Sequence, residues 1–337
     1  RPLRLYTVKN NWSTTPKEEG IDGQWSEASS EEVADFSATA YFFGNLLQQS
    51  LDVPVGLIHC SWSMSKIEAW MDKETLSHFS EVTLPDTNQD KFEWAAGTPT
   101  LLWNAMVNPW KGFPVKGVIW YQGEANTPDP ALYKKLFPAM VSQWRNFFHN
   151  AEMPFYYVQI APHKYGNSRN INSALLQEAQ MKALQTIPNS GMIPTIDVGD
   201  EFCIHPPQKN VVGLRLANLA LTKTYGLHKF PSTGPMMTKV EYSKNKAIVT
   251  LDNAPSGLAP GNCELEGFEI AGADKKFYPA KARIAGRTRN VEVWSDQVAQ
   301  PVAVRYAFRN YVGNITLRNT LGIAAFPFRT DTWDDVK

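Results

Sequence analysis

Lys116–Asn126, KGVIWYQGEAN, is the stretch that decides the fold, because a strand-like apolar run, Lys116–Gln122, passes directly into a polar loop. Near-continuous apolar runs of this length are typical of strands buried on both faces of a parallel sheet. Other stretches share this character, and Arg1–Val8 (RPLRLYTV) also has the pattern of a strand. They are Val55–Cys60 (VGLIHC), Phe155–Ala161 (FYYVQIA) and Met192–Val198 (MIPTIDV).

Amphipathic stretches separate these apolar runs. Each carries apolar residues at three- and four-residue spacing, which predicts a helix with one buried face. Asn170 or Asn172 is expected to cap one helix, and Gly226 to end another. Strands that alternate with helices predict a three-layer α/β fold, a parallel sheet with helices on both faces. The predicted helices are Val33–Leu51, Leu132–Phe148, Ile171–Ile187 and Asn210–Tyr225.

The sequence pattern changes after Gly226. His228–Pro235 (HKFPSTGP) has the Pro and Gly content of a linker, and two-residue alternation then replaces helical spacing. We therefore predict a boundary near residue 230, with an α/β domain over residues 1–230 and a β-sandwich-like antiparallel domain over residues 231–337. The predicted strands of the second domain are Lys239–Tyr242, Ala247–Leu251, Val291–Trp294 and Val302–Phe308.

Composition excludes several classes of protein. The 337 residues include 33 Lys plus Arg and 33 Asp plus Glu, so no net charge draws the chain to nucleic acid or anionic lipid. No apolar run reaches the roughly 18 residues that a membrane span requires. Three cysteines, Cys60, Cys203 and Cys263, are too few and too scattered for a disulfide scaffold or a zinc cluster.

The segments that follow the predicted strands carry the candidate site, because ligands of an open parallel sheet bind beyond the carboxyl ends of its strands. Ser61–Trp70, Gln122–Asn126 and Asp197–Pro206 are three such segments. They supply a histidine, carboxylates, amides and small hydroxyls. Acyl transfer uses these groups as a base, an orienting group and oxyanion donors.

These segments resemble the sialate O-acetylesterase family, within the wider SGNH-hydrolase group of serine esterases. Residues 56–71, GLIHCSWSMSKIEAWM, resemble the block in which a strand leads into Ser-Trp-Gly-Gly-Thr-x-Ile-Glu-Ala-Trp. Residues 116–126 match the family's Gln-Gly-Glu block, and Ile204-His205-Pro206 matches its His-Pro block. With the terminal PFRTDTW, the similarity extends from about residue 3 to residue 334.

The resemblance implies hydrolysis of an O-acetyl ester on a sugar through a serine acyl-enzyme, without metal or cofactor. His205 would then be the general base and acid, since an imidazole titrates near pH ~6.5. Glu124 would orient that imidazole, brace its own loop or cap the helix that follows. The oxyanion and substrate-binding residues implied are Ser63, Met64, Gln122, Gly123 and Asn126.

The family's nucleophile lies in a Gly-Gln-Ser-Asn-Met block, which this sequence does not contain. The strand before that block is interior in the SGNH sheet, which predicts a place for it between Leu3–Val8 and Val55–Cys60. Unpaired backbone groups at that place would cost roughly 1–3 kcal/mol each. We therefore expect an upstream segment, or a separate N-terminal chain, to supply both the strand and the serine.

Two further departures from the family bear on the site. Ser63-Met64 replaces the usual Gly-Gly, so a turn that needs a positive φ would be strained or reshaped. Cys203 replaces the carboxylate usual two residues before the histidine, and a neutral thiol cannot stabilise an imidazolium. Two alternatives stay open. The enzyme uses a Ser–His dyad whose ring is held by Glu124 or by a backbone carbonyl near Phe202 or Cys203, or its activity is weakened.

Three functions are compatible with these residues. The first, which we predict, is a carbohydrate O-acetylesterase that acts on O-acetylated sialic acid. The second is an esterase for acetyl groups on xylan or another polysaccharide. The third is a non-catalytic carbohydrate-binding protein on an esterase scaffold, favoured by the absent serine and by Ser63-Met64. The resemblance implies a secreted, periplasmic or lysosomal location.

The remaining conspicuous residues are interpreted as structural. Tryptophans of this kind more often pack in a core than form sugar platforms, and a free cysteine is commonly buried. The tryptophans are Trp62, Trp70 and Trp120, and the cysteines near the sheet edge are Cys60 and Cys203. The histidines are His59, His78, His149, His163 and His228.

Overall fold

The computed structural model of the protein describes residues 2–20, 22–227, 232–286 and 288–334. The predicted domain boundary near residue 230, together with His228, lies outside the described residues. Contacts divide the chain into two compact units. The first unit comprises Arg1–Val158, Ala179–Met192 and Gln208–Leu227; the second comprises Gln159–Glu178, Ile193–Pro207 and His228–Lys337.

Two small sheets carry the parallel strands, which confirms the α/β fold class. In one sheet the strand order is β2-β1-β3, and in the other it is β4-β5-β6. All four residues of β5 are buried, as their unbroken apolar sequence predicts. The strands are β1 (Leu3–Thr7), β2 (Ser26–Glu27), β3 (Val55–His59), β4 (Val118–Trp120), β5 (Phe155–Val158) and β6 (Ser190–Ile193).

The placement of an absent strand between β1 and β3 is wrong. These two strands pair directly and in parallel, from Leu3 opposite Val55 to Thr7 opposite His59. Leu3 and Leu5 of β1 also share a buried cluster with Leu57 of β3. Direct pairing satisfies both the ladder hydrogen bonds and the apolar faces, so no strand separates β1 from β3.

Six α-helices accompany these strands in the described residues, and one predicted helix is divided. The stretch Val33–Leu51 forms parts of two helices, because Ser29 and Ser37 each act as an N-cap and each begins a separate helix. The side chain of Ser37 accepts a hydrogen bond from the backbone N–H of Ala40, which begins the second helix. The helices are α1 (Ser30–Ala34), α2 (Ala38–Leu51), α3 (Lys73–Leu76), α4 (Pro130–Phe147), α5 (Asn172–Ala183) and α6 (Lys209–Lys223).

The last parallel strand is displaced from its predicted position. Met192–Val198 was expected to form it, but β6 ends at Ile193. Pro194 has no backbone N–H and cannot continue a ladder, so the strand stops before it. Thr195 then turns its hydroxyl toward the carbonyl oxygen of Gln159, at 2.6 Å.

Antiparallel strands dominate the C-terminal part of the second unit, as predicted. Their sheet orders are β12-β13-β8-β7, β11-β10-β14-β16 and β15-β9. Burial alternates along β8 (Lys246–Asp252), which places Ala247, Val249 and Leu251 in the core. The other strands are β7 (Met236–Ser243), β9 (Leu258–Ala259), β10 (Phe268–Ala271), β11 (Phe277–Pro279), β12 (Lys281–Ile284), β13 (Asn290–Trp294), β14 (Ala303–Tyr306), β15 (Arg318–Asn319) and β16 (Phe328–Arg329).

None of the helices in the described ranges is both long and apolar enough to cross a membrane.

Candidate active site

The loop after β3 has the unusual backbone that the sequence predicts. Met64 adopts φ +59°, in the left-handed region that favours glycine, and its side chain is 73% exposed. The carbonyl of Met64 accepts a hydrogen bond from Trp94 Nε1 at 3.2 Å, which fixes the turn. The Ser63-Met64 sequence therefore forms a turn with the positive φ that a glycine would adopt more easily.

The loop after β4 forms a single short turn. Gly123 is buried and precedes the 3₁₀ turn Glu124–Asn126. The backbone carbonyl of Glu124 accepts a hydrogen bond from the Thr127 hydroxyl at 2.9 Å, which braces the turn. Burial raises the pKa of the Tyr121 phenol, and the negative charge of Glu124 raises it further.

A buried hydrogen-bond network joins the loops that follow β3 and β4. Asn126 Oδ1 accepts from the backbone N–H of Ile67 at 2.9 Å and from Gln122 Nε2 at 2.7 Å. Gln122 Nε2 also donates to the carbonyl of Ser65 at 2.9 Å. Asn126 Nδ2 donates to Glu68 Oε2 at 2.9 Å. The structure therefore brings together two of the predicted oxyanion residues, Gln122 and Asn126, with three residues that the prediction did not include.

The network determines which amide hydrogens of Gln122 and Asn126 are available to bind an oxyanion. Gln122 Nε2 has two hydrogens, and both have acceptors. Gln122 can therefore serve an oxyanion only if one of these bonds breaks. Asn126 keeps one Nδ2 hydrogen beyond its bond to Glu68. Gln122 Oε1, by contrast, is buried without a hydrogen-bond partner among the described residues.

Glu68 is the functional-site residue that sequence reasoning missed. It lies in the Ile67–Trp70 turn and is only 7% exposed, unusual for a carboxylate. Its position in the Ile-Glu-Ala-Trp motif was the available signal, but the motif alone does not say where the side chain points. The contact with Asn126 requires the fold.

A cavity of about 250 Å³ lies beside this network in the first unit. Glu68 and Asn126 line it, together with the ionisable side chains of Lys66, Glu81 and Asp129. Three carboxylates against one ammonium make its lining acidic. Hydroxyl groups of a neutral sugar suit such a surface, because carboxylates accept hydrogen bonds from them.

His205 belongs to the second unit, in the segment Ile193–Pro207, and its side chain is exposed. Asp200 Oδ1 accepts from the backbone N–H groups of Phe202 and Cys203, both at 2.8 Å, which shapes the loop before the histidine. Within the described ranges the His205 imidazole has no hydrogen-bond partner. Its convergence with Gln122–Asn126, and its orientation by Glu124, stay predictions.

The cysteines are free thiols in very different environments. Burial raises the pKa of Cys60 to about 12, and its Sγ lies 3.6 Å from the carbonyl oxygen of Met106. Cys203 is exposed, unlike most free cysteines, and its Sγ donates to the carbonyl of His205 at 3.2 Å. Among the residues that the structure describes, no cluster of His, Cys, Asp or Glu is arranged to hold a metal ion.

The residues interpreted as structural divide into two groups. Trp70 and Trp120 are buried and meet edge to face, with ring centroids 6.3 Å apart, which confirms their packing role. His59 is only partly buried. Its Nε2 lies 2.7 Å from the hydroxyl oxygen of Ser61, at the carboxyl end of β3.

A family model for carbohydrate esterases, the sialic acid-specific acetylesterases, matches residues 3–222. The chain belongs to this family. The match includes every predicted site residue and ends before β7, the first of the C-terminal antiparallel strands. The resemblance inferred from the sequence is confirmed.

This chain covers only part of the length of its relatives in the acetylesterase family. The sialate O-acetylesterases of Homo sapiens and Pongo abelii are each 30% identical over 255 residues, 68% of this chain and 48% of theirs. That of Rattus norvegicus is 27% identical over 306 residues, 74% of this chain and 55% of its own. The chain therefore spans about half the length of these relatives.

A solved structure of a carbohydrate acetylesterase is similar to nearly the whole of this chain. The carbohydrate acetylesterase from Xanthomonas citri gives a TM-score of 0.89 at 38% identity, over 98% of this chain and 73% of that one. This similarity includes the antiparallel strands beyond residue 222, which the family model leaves out.

Proposed function

We propose that this protein hydrolyses acetyl esters on sialic acid through a serine acyl-enzyme. The observation that carries the proposal is the buried Ser65–Gln122–Asn126–Glu68 network, which joins the loops after β3 and β4 in a chain of the acetylesterase family. In open α/β sheets, ligands bind at loops of this kind, beyond the carboxyl ends of the strands. A secreted, periplasmic or lysosomal location accords with O-acetylated glycans as substrates.

The mechanism assigns one role to each group. A serine hydroxyl attacks the acetyl carbonyl while His205 takes its proton, and His205 then gives the proton to the departing sugar oxygen. Water attacks the acetyl-serine by the reverse proton path and releases acetate. The oxyanion accepts hydrogen bonds from backbone N–H groups at Ser63, Met64 and Gly123 and from the remaining Nδ2 hydrogen of Asn126.

The serine comes from outside residues 1–337, on an upstream segment or a separate N-terminal chain, and we place its strand between β3 and β4. Among the described residues, β3 pairs only with β1, and β4 only with β5. Both strands are incompletely buried, with only Leu57 of β3 and Trp120 of β4 in the buried class. Open ladder edges on two apolar strands suit one further parallel strand.

Unpartnered polar atoms support the same placement. Gln122 Oε1 and His59 Nδ1 are buried without hydrogen-bond partners among the described residues. His59 is the last residue of β3, and Gln122 lies just beyond the end of β4. Buried polar atoms are seldom left unpaired, so a loop that follows the added strand is expected to supply partners here.

Acetate release by the complete protein tests this function. We expect turnover of 9-O-acetyl sialic acid and a loss of about 100-fold or more in kcat/KM for His205→Ala, because a general base contributes at least that much. His78→Ala, which removes another exposed histidine, serves as the control. Equal rates for the wild type and His205→Ala would remove His205 from the mechanism, and no turnover at all would favour a binding protein.

Acetylated xylan is a second candidate substrate, favoured by the acidic lining of the 250 Å³ cavity. Glu68 and Asp129 would repel the carboxylate of sialic acid, whereas a neutral xylose ring carries none. Glu81 is already paired with Lys135. The two substrates compared at equal concentration decide between them: faster acetate release from xylan would assign the enzyme to neutral polysaccharide.

A further inference from the structure

We propose that Ser61 and His59 form a second nucleophile–base pair, which accepts an acetyl group from small activated esters such as aryl acetates. This inference goes beyond the proposed function, because it concerns a serine within the chain. The hydroxyl oxygen of Ser61 lies 2.7 Å from His59 Nε2, within the range that marks an activated nucleophile.

The backbone places the two side chains of this pair next to each other. His59 is the last residue of β3, and Ser61 follows two residues later in the extended chain, so both side chains lie on one side of it. The ring of Phe36 packs edge to face against the imidazole, with centroids 5.6 Å apart. The base is therefore held while the exposed hydroxyl meets solvent.

The charge state of His59 suits a base. Burial lowers its pKa, and no charged side chain contributes to that shift, so the imidazole stays neutral to a lower pH than an exposed histidine. When the ring hydrogen is on Nδ1, the Nε2 lone pair accepts the Ser61 proton. Nδ1 is buried and has no partner among the described residues, so no carboxylate of this part of the chain orients the ring. Within the described residues the pair is a dyad.

Donors for the oxyanion follow Ser61 directly. In the part of the chain that the structure describes, the backbone N–H groups of Trp62, Ser63 and Met64 have no acceptor. The N–H after a nucleophilic serine is a common oxyanion donor in hydrolases. The glycine-like turn at Met64 therefore leaves unpaired donors beside the hydroxyl that reacts.

The reaction proceeds in two balanced steps. Ser61 Oγ forms a bond to the acetyl carbon as its proton passes to His59 Nε2; the bond from that carbon to the aryl oxygen breaks, and the leaving phenol takes the proton. Water then attacks the acetyl-serine, His59 accepts and returns a proton, and acetate leaves with the serine restored.

Peptide mapping of the complete protein treated with p-nitrophenyl acetate tests the pair. We expect an acetyl adduct on the peptide that contains Ser61, formed about 100-fold more slowly in His59→Gln because the base is lost. Ser61→Ala should remove this adduct. Ser80, an exposed serine with no histidine contact among the described residues, should stay unlabelled, and Ser80→Ala is the matched control.

The pH dependence keeps the test decisive even if His59→Gln does not fold. Wild-type labelling of Ser61 should persist below pH ~6.5 and fall only as the pH passes the lowered pKa of His59. Absence of the adduct, or labelling as slow as at Ser80, would overturn the proposal. The adduct is scored by peptide, so its absence is distinct from failure of the sialate esterase, which His205→Ala reports.

Discussion

At the scale of single residues, the buried carboxylate of Glu68 orders the candidate site. An ionised carboxylate only accepts hydrogen bonds, so it fixes the amide nitrogen of Asn126 toward itself and the amide oxygen toward Gln122 and Ile67. The sequence predicted Gln122 and Asn126 as site residues because both follow a strand. It could not predict Glu68, since a 58-residue separation hides the contact.

Replacement of Glu68 tests this ordering. Glu68→Leu should lower the free energy of unfolding by about 1–3 kcal/mol, because a buried N–H of Asn126 loses its acceptor. Glu68→Gln retains an acceptor and should lose less. Thermal and urea unfolding measure both, with the exposed Glu93→Gln as control. A loss as large in Glu93→Gln would contradict the role of the network.

Met64 offers a second test at this scale. Met64→Gly should raise the free energy of unfolding by about 0.5–1 kcal/mol, because the left-handed backbone costs a methionine more than it costs a glycine. Removal of the methionine side chain costs little, because that side chain is already exposed to solvent. Ser63→Gly, next to it but without a positive φ, should destabilise instead. If Met64→Gly unfolds more easily than the wild type, the strain assigned to this turn is absent.

At the scale of elements, local sequence patterns predicted the bounds of helices well, but they did not predict which strands pair. The helices α4, α5 and α6 lie within a few residues of their predicted bounds because apolar spacing and caps act locally. The β1–β3 pairing did not follow from the sequence, since nothing local distinguishes one parallel partner from another. The division of Val33–Leu51 depended on Ser37 as a cap, a signal present in the sequence but outweighed there by the apolar spacing.

Packing of α6 on α2 gives a prediction for the first unit. A Cβ on Gly213 would lie 2.5 Å from the backbone oxygen of Thr39, closer than atoms can approach without movement. Gly213→Ala should therefore lower the free energy of unfolding by about 1–3 kcal/mol, although alanine is the better helix former. Asn210→Ala, at an exposed position of α6, is the control. Stabilisation by Gly213→Ala would show that the helices can move apart.

At the scale of the whole molecule, contacts distant in sequence decide which segments belong together. Glu178 bonds Arg329 from 151 residues away, and Ser173 bonds Asn310 from 137 residues away. Such contacts group residues 159–178 and 193–207 with the second unit, and His205 with them. Composition and periodicity do not report these contacts, so the sequence indicated only a change of pattern near residue 230.

The second unit depends on a fully buried ion pair. Arg305 and Asp331 are 0% and 1% exposed, with Nη2 and Oδ1 2.8 Å apart. Asp331→Asn should lower the free energy of unfolding by about 3–5 kcal/mol, because it leaves the buried guanidinium without its counter-ion. Asp296→Asn, at an exposed pair with Lys281, is the control. Similar unfolding midpoints for the two variants would contradict this dependence.

Covalent trapping of the nucleophile tests the central claim most directly. When the complete protein reacts with a fluorophosphonate, the adduct that forms fastest should map to a serine outside residues 1–337. Its formation should slow about 100-fold or more in His205→Ala, because the base that activates this serine is gone. A fastest adduct on a residue of this chain, or one that forms at the same rate without His205, would contradict the account.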